Sequence, residues 1–138
     1  MEFLNGDLFK NFNFQRDEKN TESQIGNAEL ELGIKFPEGL RGILKQYNGG
    51  SGQIGKSYLD LWSLEDIVDF YQENMETDAY ILVPFASDGC GMSFTLVKEN
   101  TEIRIVPMDS LEYEYSKKCS NNFDEFINEV YSGNLVEY

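Results

Sequence analysis

Histidine is absent from this chain. That removes the commonest general base, the usual zinc ligand and nucleophilic sites of the Ser-His-Asp kind. Cysteine is scarce. Cys90 and Cys119 show no C-x-x-C spacing and are too few for a disulfide framework, which points to a reducing compartment. No apolar run approaches the roughly 20 residues that span a bilayer. The opening MEFLNGDLFKNFNF places Glu2 and Asp7 where a secretory signal needs positive charge. These absences point to a cytoplasmic protein without a membrane span.

Positive charge is the other scarcity. Asp and Glu number 25 against 11 Lys and Arg, a net charge of −14, with an isoelectric point near 4.2. Residues 57–97 hold eight acids and no Lys or Arg. Such a chain repels nucleic acid and anionic membranes, and it attracts and steers a cationic protein.

What is present is enough for one globular domain of 138 residues, with ten Phe and eight Tyr to fill a core. Residues 1–20 lack clear periodicity and are read as an N-terminal extension, with the core domain over 21–131. TESQIGNAELELG reads as a helix capped by Thr21 or Ser23, striped by Ile25, Ala28 and Leu32, and closed at Gly33. FPEGLRGILKQYNGG reads as a second, with Leu40, Ile43, Leu44 and Tyr47 on one face and Asn48-Gly49-Gly50 ending it. After a β-prone YLDLW, Ser63 and Asp66 form a capping box for SLEDIVDFYQENM. AYILVPFA, MSFTLV and IRIVPM alternate with period two and predict a β-meander turning at 87–91, where Asp88 bonds its own backbone. SNNFDEFINEV predicts a closing helix. The order implies an α+β fold with an antiparallel sheet.

Gly50, Gly55, Lys56 and Ser57 fit the phosphate-loop spacing G-x-x-x-x-G-K-[ST]. That loop works only between a buried strand and the helix it opens. Here a helix precedes and a strand follows, so GSGQIGKS is read as a turn and no nucleotide or other cofactor is expected. Cys119 follows Lys117-Lys118 but has no positioned base, and is read as a buried or incidental thiol. With 25 acids, paired carboxylates arise by default. No metal site and no catalytic residue is assigned.

The sharper candidate is a surface. On the helix after Trp62, Glu65, Asp69, Glu73 and Glu76 gather in one arc with Asp66 beside it, and Phe70 borders them. Leu64, Ile67, Val68, Tyr71 and Met75 face the other way, into the core. Like charges at i,i+4 repel by a few tenths of a kcal/mol per pair, a cost that a cationic partner would relieve. Glu65, Asp66, Asp69, Phe70, Glu73 and Glu76 are therefore the candidate partner-binding residues. Trp62, ending a strand, is read as core rather than contact.

AELELGIKFPEGLRGILKQYNGG resembles the acidic–x–x–LG–x–x–LP…L–x–x–NGG opening of the SMI1/KNR4 (SUKH) family. LWSLEDI resembles its strand-to-helix step, VPFASDGCGMSFTLV its SDGGG hairpin, and SNNFDEFINEV its terminal helix. Cys90 replaces the usual second glycine of that hairpin. The resemblance implies a twisted antiparallel sheet with helices packed on one side, and no enzymatic activity. It implies an immunity protein that binds a cognate bacterial toxin, with a nuclease among the toxin types. The alternative is an interaction scaffold of the same fold, as in the family's eukaryotic members.

Overall fold

Thr21 opens α1 (Glu22–Leu32) with a reciprocal cap. Its hydroxyl oxygen accepts from the Gln24 amide at 3.1 Å, and the Gln24 side chain accepts from the Thr21 amide at 2.8 Å. The computed structural model describes residues 7–15, 19–74 and 81–135. α1 buries Ile25, Ala28 and Leu32, and α2 (Glu38–Gln46) begins after Pro37 and buries Leu40, Ile43 and Leu44. Between them Glu29 is buried, and its carboxylate accepts from the Phe36 amide at 2.8 Å with Arg41 Nε at 3.5 Å. The acid of the acidic–x–x–LG segment thus satisfies a backbone donor in the tight link between the two helices.

Among the described residues, seven strands follow one another across a single sheet in sequence order: β1 (Phe12–Phe14), β2 (Gly50–Ile54), β3 (Ser57–Leu61), β4 (Leu82–Ser87), β5 (Met92–Val97), β6 (Ile103–Pro107) and β7 (Lys117–Ser120). Every neighbouring pair is antiparallel. With the four α-helices of the described residues this is an α+β fold. α3 (Leu64–Glu73) packs on α1, α1 on α2 and α2 on α4 (Phe123–Ser132), while α3 and α4 also rest against strands.

The sheet is larger than the sequence predicts. GSGQI is strand β2 rather than part of a turn, and only Gly55-Lys56 turns before β3. The phosphate-loop spacing therefore lies in a β-hairpin rather than between a strand and a helix that it opens. Within the segment read as an extension, Phe12–Phe14 adds β1 to β2, and KKCS adds β7 at the far edge.

α4 is capped by Asn122, whose side chain accepts from Glu125 N at 2.8 Å. It drives Phe123, Phe126, Ile127 and Val130 into the core against Phe85 and Phe94. Each fully buried Phe contributes about 2–3 kcal/mol of transfer free energy. β4 is buried along its whole length but pairs with β3 only at Asp60–Ser87 and Leu61–Ala86. Pro84 lies beyond that pairing and beside a bulge, so the amide it lacks interrupts no β3 ladder bond. Among the described residues no helix is long and apolar enough to cross a membrane.

Candidate interaction groove

Where β3 ends, the chain must turn into α3, and Asn48 governs how. Its side chain is buried, and Oδ1 accepts both the Leu64 amide at 2.9 Å and Asn20 Nδ2 at 3.0 Å. Its own amide donates to Gln15 O at 3.0 Å, and the Gln15 amide donates to Gly49 O at 2.9 Å. Such an approach requires glycine next door. A Cβ on Gly49, at φ +89°, would stand 2.5 Å from Leu61 O. Ser63 completes the helix start by accepting from Asp66 N at 3.1 Å. Leu64, Ile67 and Tyr71 anchor the buried face, and Lys98 Nζ donates to the Tyr71 hydroxyl at 2.7 Å. Val68 is only half-buried, and Met75 lies outside the described residues.

α3 so held borders an open groove of about 560 Å³. From α3 come Asp66, Asp69, Phe70 and Glu73; β3 and the turn after it supply Asp60 and Trp62; Gln15, Asn48 and Ser51 come from the β1–β2 side. Trp62 and Phe70 are half-buried, with ring centroids 5.1 Å apart. Burial raises the Asp60 carboxyl above the ordinary aspartate range; a hydrogen bond from Ser87 offsets part of this, and the Asp66 charge adds to it. Among the described residues no ion pair reaches Asp60, Glu65, Asp66, Asp69 or Glu73, and no Lys or Arg lines the groove. On α1, by contrast, two acids have cationic partners: Glu22 meets Arg41 at 2.6 Å and Lys45 at 2.5 Å, and Glu29 meets Arg41 at 3.5 Å.

Of the residues singled out on this helix, Asp66, Asp69, Phe70 and Glu73 share the groove. Glu65 lies on the other flank, beside a hollow of about 360 Å³ that also involves Ala28, Val68 and Asp69. Glu76 lies outside the described residues. Trp62 is a groove residue rather than purely core, and Asp60 and Gln15 were not anticipated. Asp60 alternates with core Leu59 and Leu61 along a strand, so it reads as an ordinary outward polar residue. Among the described residues no three His, Cys, Asp or Glu side chains gather to hold a metal ion. Cys119 is buried, and burial, helped by Glu129 and opposed by Arg104, pushes its thiol up to about 12. Such a thiol is a poor nucleophile at neutral pH.

The model of the SMI1 / KNR4 family (SUKH-1) matches residues 19–129. The chain belongs to this family. It is also similar to the uncharacterized protein YnaB of Bacillus subtilis (strain 168), with 25% identity over 116 residues that cover 83% of this chain and 78% of that one. Three segments that resemble SMI1/KNR4 motifs now have physical roles in this SUKH domain. Glu29 satisfies the α1–α2 link, Asn48 sets the start of α3, and Asp88 Oδ1 accepts from the Cys90 and Met92 amides at 2.7 and 3.1 Å to shape the β4–β5 turn.

Proposed function

We propose that this SUKH protein is an immunity protein that neutralises a cognate toxin by direct binding, with the α3 groove as its contact surface and a basic protein as its partner. The observation that carries this reading is a groove with four acidic side chains, two half-buried aromatic rings and no lining cation among the described residues. Such a surface leaves charge repulsion that a cationic partner relieves, and its field speeds encounter at low salt. A toxin acting on nucleic acid carries a basic cleft, which carboxylates can fill in place of phosphates. Family membership supports the reading, since the resemblance implies immunity proteins among bacterial members. A binding role also fits a chain with no histidine and a buried, inert Cys119. The cytoplasm is the compartment in which such a protein meets an incoming toxin.

The test is to reverse Asp66, Asp69 and Glu73 to Lys together and, separately, Glu65 alone. Each protein is co-expressed with the toxin domain encoded beside it. The triple variant should stay folded, associate far more slowly and lose protection, whereas Glu65→Lys should protect nearly as well as the parent. Protection by the triple variant would refute the groove. A basic partner that is captured but has no toxic activity would favour the scaffold role instead.

A further inference from the structure

We propose that the groove seats one arginine side chain of the protein partner, its guanidinium plane against the Trp62–Phe70 pair and its N–H groups donating to Asp60 and Asp66. This rests on the groove being the partner-binding surface. The molecule already contains the same arrangement, complete, elsewhere. Arg104 lies 4.4 Å from the centroid of the Tyr113 ring while its Nη1 meets Glu102 Oε2 at 2.8 Å. Lys98 Nζ also lies 4.7 Å from the Tyr71 ring centroid, with the Tyr71 hydroxyl rather than a carboxylate as its polar partner. In the groove the acids and the rings are present, and no described lining residue supplies the cation.

The chemistry selects arginine. No three acids converge among the described residues, so a bare metal ion finds no cage. A planar guanidinium both stacks on an aromatic face and donates several parallel hydrogen bonds, whereas an ammonium is a point charge that stays strongly hydrated. Asp60 stands on β3 directly opposite Ser87 of β4, itself only 6% exposed, so one acceptor is carried by the sheet before the partner arrives. The volume of about 560 Å³ accommodates a long side chain without rearrangement.

Trp62 is the only tryptophan, so its fluorescence reports on the groove directly. The intact protein is titrated with N-acetyl-arginine amide, and in parallel with the lysine and citrulline amides, at constant ionic strength. The arginine probe should give a saturable change with a dissociation constant on the order of millimolar, as expected for so small a ligand. Lysine should bind at least five-fold more weakly, and citrulline, which keeps the shape without the charge, should give no saturable change. Asp66→Asn should weaken the arginine response at least five-fold. Gln15 is exposed and lines the groove, so Gln15→Arg should supply an internal competitor and weaken it similarly, with Gln15→Ala as the neutral control. No saturable arginine response, an equal response to citrulline, or undiminished binding by Asp66→Asn would overturn the seat. Full toxin binding by both Asp66→Asn and Gln15→Arg would overturn it while leaving the immunity role intact. An arginine response without any protective activity would support the seat and fail the immunity role alone.

Discussion

Replacing Asn48 with Ala should be among the most damaging single changes outside the apolar core. The substitution deletes the acceptor of two hydrogen bonds, from the Leu64 amide and from Asn20 Nδ2. Asn20 Nδ2 keeps its bond to Leu44 O at 2.9 Å, but Leu64 is buried and its amide loses the Asn48 Oδ1 acceptor. Loss of a hydrogen bond that leaves a buried donor unmet costs about 1–3 kcal/mol, and the second bond adds about 1 kcal/mol. A total of about 3 kcal/mol corresponds to a fall in Tm of roughly 10 °C for a domain of this size. Ser63→Ala is the internal comparison. Ser63 caps the same helix with an exposed bond to Asp66 N, so its removal should cost only about 1 kcal/mol. Urea denaturation followed by circular dichroism gives both values. Hydrogen exchange should also show the first turn of α3 opening in the Asn48 variant before the rest of the sheet. Equal losses in the two variants would refute the assignment of Asn48 as the anchor of α3.

Gly89 has φ +79°, and a Cβ there would meet the Tyr58 ring at 2.9 Å. Gly89→Val should therefore cost about 2 kcal/mol in the same urea assay, and a neutral result would exclude strain at this turn. For Asp60, the raised folded-state carboxyl means that the native protein binds its proton more tightly than the unfolded chain does. Stability should thus rise as pH falls through that raised value and decline as pH rises through it; Asp60→Asn should remove this component and stabilise the protein at pH 7. Unfolding curves between mildly acidic and neutral pH that are unchanged in Asp60→Asn would contradict this. Cys90 is exposed and Cys119 buried with its thiol pushed up to about 12, so a disulfide reagent at neutral pH should titrate one thiol in the native protein and two in guanidinium.

The helices were legible because their signals are local. Thr21, Ser63 and Asn122 cap, Gly33 closes α1, and periodicity selects the buried residues of α2 and α4 except Tyr47, which lies past the end of α2 as an extended, half-buried cap stacked on Phe14. β4 to β6 were legible for the same reason. β2 was not, since Gly50, Ser51 and Gly52 have turn chemistry and poor strand propensity, and only the flanking β1 and β3 hold them extended. FNF and KKCS are likewise too short to announce strands. The acidic side of the groove follows only in part from helical geometry, which selects Asp69 and Glu73 but groups them with Glu65, on the other flank. The groove's remaining residues do not, because Asn48 and Asp60 meet through the β2–β3 pairing and Gln15 joins them only once β1 has paired with β2.

That dependence has a kinetic side. Hairpins such as β2–β3, β4–β5 and β5–β6 pair segments a few residues apart, whereas β1 must close a loop that contains both α1 and α2 before it finds β2. Longer loops cost more entropy to close, and contacts of high sequence separation are made late. β1 offers only three residues of pairing, held by the packing of Phe9 and Phe12 and the stacking of Phe14 on Tyr47 at 4.3 Å. It should be the last strand to dock during folding and the first to release in the native state. The wall of the groove that carries Gln15 would then open and close in equilibrium, so if the groove is the contact surface proposed above, an edge strand rather than the acidic helix opposite sets the rate of capture.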